Sequence, residues 1–248
     1  MKEITGQETL VEGIEFSIRE SEVLRYLGRK QHSLPLGESL EKDLASEIES
    51  GKSLARPVAL YRIEPLVKPE NNSGFFRINN SPLRSKHVLR LFKNSRYCLI
   101  GLLTIGELLE NRVSDLYKRK AYARALMLDA VGSEAVEAAA DALMGKMAGE
   151  INETAGPHAL TQRFSPGYGD WDIREQHLIF RLLDSERVGI KMMPSCLMVP
   201  RKSISFIVGI QPGRRRAVKK TGGDCFSVPC SLDPCKFKSE PGKKEGSK

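Results

Sequence analysis

The chain has 248 residues, 40% of them apolar and 28% charged, which fits a soluble globular protein with a sizeable core. No run approaches the roughly 18 apolar residues that a membrane span needs, and the charged start Met-Lys-Glu-Ile-Thr has no apolar stretch behind it, so a cytoplasmic protein is expected. The net charge of +8 is concentrated: Gln211 to Lys248 holds 10 Lys or Arg against 4 Asp or Glu, which leaves the body near neutral and argues against nucleic acid as the main partner.

In chain order, Ile14, Phe16 and Ile18 alternate with polar residues and predict a short strand. Ser21 is an N-cap for a short helix carrying Val23, Leu24 and Leu27, and the polar stretch from Gly28 to Ser33 reads as a turn. Leu36, Leu40, Leu44 and Ile48 form an amphipathic stripe, and Pro57 to Ile63 is extended. Lys68 to Ser73 is a loop by composition, with short strands predicted at 75–78 and 96–104. The second strand is almost continuously apolar, as expected of a central strand covered on both faces. Helices follow over 106–117 and 118–150; Leu128, Val131, Ala135, Ala139 and Leu143 share one face of the longer one. Gly132 inside it points to close approach of another segment. A further helix is predicted over 173–183 and a strand over 202–210. Helices in blocks around dispersed strands indicate an α+β fold, with 1–212 as one domain and 213–248 as a basic, cysteine-containing tail.

The most informative stretch is Arg163-Phe-Ser-Pro-Gly-Tyr-Gly-Asp-Trp171. It joins a fixed cation to a Pro-Gly turn and two aromatics with polar tips, Tyr168 and Trp171, whose faces suit a flat or cationic group. Together with Pro200-Arg-Lys-Ser-Ile-Ser205, Glu22-Val-Leu-Arg-Tyr-Leu-Gly28 and Ala125 to Glu137, it resembles the reactivation domain of cobalamin-dependent methionine synthase, and in particular the free-standing relatives of that domain. The resemblance spans roughly residues 15 to 212 and rests on four motifs in the same order. It implies an antiparallel sheet flanked by helices.

It further implies binding of S-adenosylmethionine and support of the reductive remethylation of cob(II)alamin on a partner methyltransferase chain, with an electron donor such as a flavodoxin or ferredoxin. Arg163 would hold the methionyl carboxylate; the alternative is a surface ion pair with Asp170 or Asp172. Gly167 would bring backbone groups to the ligand, and Tyr168 would stand near the methyl group or the cobalt face; otherwise they are a turn glycine and a core aromatic. Glu137 would bind the amino group or ribose, where a lone helix carboxylate is ordinarily solvated. Ser203 and Ser205 match the family's strand without an assigned role. Where the fused enzymes carry Pro after Gly-Tyr, this chain has Gly169-Asp170-Trp171, as the free-standing relatives do, and where they carry ligand-side aromatics after the Ser-x-Ser pair it has only Phe206, displaced from that position.

Five cysteines in a cytosolic chain argue against a disulfide framework. Cys98, in an apolar run, reads as a buried thiol. Cys225, Cys230 and Cys235 recur every five residues, a set of thiolates suited to zinc or an iron–sulfur cluster if Cys196 or a partner supplies the fourth ligand. Similar clusters occur in the free-standing relatives. Two other readings follow from the tail: a redox accessory built on those cysteines, and nucleic-acid binding through Arg214 to Lys220, which would weaken steeply with salt.

Overall fold

A computed structural model describes residues 5–29, 37–69 and 74–213. In chain order its elements are β1 (Glu8–Val11), α1 (Glu20–Tyr26), α2 (Glu38–Leu54), β2 (Val58–Pro65), β3 (Arg77–Ile78), β4 (Ser81–Pro82), α3 (Lys86–Leu91) and β5 (Tyr97–Thr104). They continue with α4 (Leu108–Lys118), α5 (Tyr122–Ala155), β6 (His158–Leu160), a 3-10 turn (Ile173–Glu175), α6 (Gln176–Leu182), β7 (Lys191–Met192), β8 (Met198–Val199) and β9 (Ser203–Pro212).

The main sheet is antiparallel with strand order β1-β2-β5-β9-β6. Its centre is β5, the apolar run, and side-chain alternation divides it between two cores. Leu99 and Leu103 face α1, α2, α4 and α5, together with Ala59, Ile63, Phe206 and Val208. Cys98, Ile100 and Leu102 face α3, α6 and the short hairpins, with Leu60 and Ile207. Burial in that second core pushes the Cys98 thiol pKa well up, as a small hydrophobe would show. The expected α+β class is thus realised as a sheet with both faces covered.

Small residues set the close packing. A Cβ on Gly101 would lie 2.4 Å from the ring of its cross-strand neighbour Phe206, so the phenyl ring occupies the space above the glycine. Phe206 therefore belongs to the core under α5. On α5, a Cβ on Gly132 would meet Leu109 of α4 at 2.7 Å, and one on Gly51 of α2 would meet Val131 at 2.2 Å. These glycines let three helices share one seam; the approach expected at Gly132 is made by α4.

Several predicted elements shift. Ile14, Phe16 and Ile18 do lean on the helical core, but residues 12–19 form no strand; the ladder position belongs to β1. Alternation reports one-sided burial of extended chain, which does not require a hydrogen-bonded neighbour. Ser21 lies inside α1, which begins at Glu20 behind Arg19; Glu20 and Glu22 in its first turn complement the helix dipole. That helix ends in a Schellman motif, with Gly28 at φ 80°, Gly28 N–H donating to Arg25 O and Arg29 N–H to Leu24 O. The helix expected over 118–150 starts at Tyr122, after a second such motif: Lys120 at φ 60° donates to Tyr117 O, and Ala121 N–H to Leu116 O. The helix expected over 173–183 is a 3-10 turn leading into α6. Leu36, and the tail beyond Gly213 with Cys225, Cys230 and Cys235, lie outside the described residues.

Candidate functional site

Asp129, Ser133, Glu137 and Asp141 recur every four residues on α5 and make one half-buried polar stripe along it. Two cations reach it from other elements. Lys202, just before β9, sits 3.0 Å from Asp129 Oδ1 and donates to Ser133 Oγ at 2.8 Å. Arg163, in the segment after β6, places Nη2 2.9 Å from Glu137 Oε2 and 2.8 Å from Asp141 Oδ1. Beside them Arg19, at the start of α1, donates from Nε to Glu134 Oε1 at 2.8 Å; Glu134 is only 1% exposed. That hydrogen bond outweighs desolvation and raises the Arg19 pKa, so this pair is a fixed, neutral wall.

Arg163 itself is held by the sheet. Thr161 N–H donates to Gly209 O, and Phe164 exchanges backbone hydrogen bonds with Ile207 across β9, which carries the intervening Arg163 over to α5. Its side chain is 17% exposed, and its Nη1 is buried without a hydrogen-bond partner among the described residues. The alternative surface pairing with Asp170 or Asp172 does not occur. The structure joins Arg163 to Glu137, residues that the sequence reading placed on one ligand, and adds Asp141, Arg19 and Glu134, which it did not single out. The four-residue recurrence from Asp129 was the available signal for Asp141. Nothing in the sequence marks the Arg19–Glu134 pair.

The turn that follows sorts the aromatics. Gly167, at φ 92°, donates its N–H to Trp171 O at 2.7 Å, and Trp171 N–H donates to Tyr168 O at 3.0 Å, closing the loop on itself. Trp171 is thereby turned inward, 1% exposed, and stacks on Phe164 with centroids 6.0 Å apart and planes 13° from parallel. The expectation that Trp171 offers a face to a ligand is corrected: its ring fills the second core. Tyr168 points the other way and is 65% exposed, so the core alternative for it fails.

Asp170 accepts from Ser85 Oγ at 2.6 Å and from the Lys86 amide at 2.7 Å, anchoring the turn to the start of α3. Partial burial pushes its carboxyl up, but these bonds, with those from the His87 amide and ring, hold it well below the usual carboxylate range. Asp172 accepts from the side chain and amide of Arg174, which lowers its pKa to about 2. Both acids are structural partners of the turn.

Of the strand hydroxyls, Ser203 is buried and donates within reach of Thr104 Oγ1 and Pro200 O, at 2.8 and 2.7 Å. Cys196 is buried, with Sγ 3.9 Å from His177 Nε2. No group of three or more His, Cys, Asp or Glu among the described residues is arranged to hold a metal. A cleft of about 120 Å³ lined by Gln7, Thr9, Tyr61 and Glu150 lies further along α5, and it is small beside the roughly 300 Å³ and more of ligand pockets. No helix among the described residues is long and apolar enough to cross a membrane.

Fold and site together define an α+β domain whose long helix presents a charged stripe to an arginine turn at the sheet edge. No family model matches the chain, and no curated protein matches its sequence. Among solved structures, the chain is similar to the crystal structure of the MetH reactivation domain bound to AdoHcy, with a TM-score of 0.61 and 14% identity over 85% of this chain and 80% of that one. The likeness is one of fold.

Proposed function

We propose that this chain binds S-adenosylmethionine at the Arg163 turn and supports the reductive remethylation of a corrinoid held by a partner methyltransferase. One observation carries the reading: Arg163, half-buried and clamped by Glu137 and Asp141, keeps an Nη1 without a hydrogen-bond partner among the described residues, in the segment that leads into the turn displaying Tyr168 to solvent. A guanidinium nitrogen in that state fits a carboxylate, since a buried donor left unpaired costs about 1–3 kcal/mol. The methionyl carboxylate would take Nη1, and the α-ammonium would take Glu137. Gly167, at φ 92° and with Ile173 Cδ1 3.1 Å from where a Cβ would lie, shapes the turn that would stand beside the ligand. Exposed Tyr168 would meet the corrinoid face of the partner.

When bound, S-adenosylmethionine supplies the methyl group, and an electron donor such as a flavodoxin or ferredoxin supplies the one electron that reduces cob(II)alamin. This chain's own residues bind and orient; the chemistry belongs to the cofactors. The fold likeness to a reactivation domain crystallised with AdoHcy supports the reading.

Calorimetry with S-adenosylmethionine tests it. The wild-type chain is expected to bind, and Arg163→Ala to weaken binding at least about tenfold through loss of a charge-assisted contact. Thermal unfolding of the variant checks that the domain is intact. Absence of binding by the wild type, alone and with a corrinoid protein present, would overturn the reading.

A further inference from the structure

The α5 stripe carries more carboxylates than cations. Asp129, Glu137 and Asp141 face Lys202 and Arg163, and the adjacent Arg19–Glu134 and Arg25–Glu22 pairs are each balanced within themselves. Lys202 is committed to Asp129 and Ser133. Among the described residues, Arg163 is thus the cation hydrogen-bonded to both Glu137 and Asp141, through the same nitrogen, Nη2. Arg19 comes no nearer to Asp141 than 4.0 Å, and its own charge is matched by Glu134.

From this imbalance we infer that Asp141 is a specificity-determining residue that selects a sulfonium ligand over its neutral thioether product. The inference rests on the reading of the Arg163 site as an S-adenosylmethionine site. An amino-acid ligand whose carboxylate engages Arg163 leaves two carboxylates to be matched. Its ammonium answers one of them. The second is matched only by a further positive charge, which S-adenosylmethionine carries on sulfur and S-adenosylhomocysteine lacks. Glu137 and Asp141 stand one helical turn apart, so the two ligand cations need not compete for one oxygen pair. The site is thus complementary to a ligand of net charge +1, and a zwitterion of net charge zero leaves it one charge short. The same difference would favour release of the ligand once its methyl group has gone.

Calorimetric titration of the full chain with each of the two ligands separates the inference from its foundation. Wild type is expected to prefer S-adenosylmethionine by about three- to tenfold, the scale of one unit charge in a partly screened site. Asp141→Asn should abolish that preference, mainly by weakening S-adenosylmethionine, whereas Asp141→Glu should keep it. A preference unchanged in Asp141→Asn would sink the role of Asp141 while leaving the binding site in place. Loss of both ligands in Asp141→Asn would make it a general binding residue and would overturn the inference equally. Wild type that binds neither ligand removes the site reading itself.

Discussion

One carboxylate, Asp170, joins the turn after Arg163 to the first turn of α3 through the Ser85 hydroxyl and two backbone amides. Its folded pKa lies below its unfolded value. It therefore contributes stability that is full above the ordinary carboxylate range near pH 4 and is lost as pH falls through the depressed value. Asp170→Asn is expected to lower stability at pH 7 by about 1 kcal/mol, the modest end for such bonds because the side chain is more than a third exposed. Urea unfolding at pH 7 and at pH 3 should show the gap between variant and wild type narrowing in acid. An equal gap at both would mean that the charge is irrelevant. At this scale the sequence exposed the turn but not its orientation. Arg163, Pro166, Gly167 and the two aromatics mark a ligand-sized motif, yet spacing cannot say that backbone bonds between Gly167 and Trp171 rotate the indole inward and the phenol outward.

Between elements, the junction of α4 and α5 repeats the device that ends α1, with one residue changed. Both helices close with a left-handed residue at C′, which is Gly28 in one and Lys120 in the other. A lysine there brings its Cβ toward the following carbonyl, a strain of about 1 kcal/mol that glycine avoids. Lys120→Gly should accordingly stabilise the domain by about 0.5–1 kcal/mol, after the larger unfolded-state entropy of glycine is allowed for. Differential scanning calorimetry should register a rise of roughly 1–4 °C; a fall would show that the Lys120 side chain makes a contact worth more than its strain. The same lysine explains why one continuous helix was expected from 118 onward: no glycine or proline marks the break. Where the signal was strong the elements were legible, as in the apolar β5 and the alanine-rich α5. Strand order was not, because β6 has three residues and finds β9 some 50 residues away through backbone groups alone.

Taken whole, the molecule is closed by β9. That strand pairs with β5 on one side and β6 on the other, sends Phe206, Val208 and Ile210 into one core and Ile207 into the other, and ends at Pro212. Among the described residues, every strand of the main sheet and both cores are therefore assembled by that point. A chain ended at Gly213 is expected to keep its thermal midpoint and, on the proposed function, to bind S-adenosylmethionine as the full chain does, whereas a chain ended at Ser203 would lose the sheet and fail to fold. The shorter chain also separates two kinds of chemistry. It retains only Cys98 and Cys196, both buried, and no metal-holding group is arranged among the described residues. If Cys225, Cys230 and Cys235 hold zinc or an iron–sulfur cluster, metal and sulfide measured on anaerobically purified protein should be present in the full chain and absent from the one ended at Gly213. The S-adenosylmethionine binding proposed for the Arg163 turn should be equal in the two. Metal retained by the shorter chain would move the ligands into the body of the domain, and metal absent from both would overturn the zinc and iron–sulfur reading of the three cysteines.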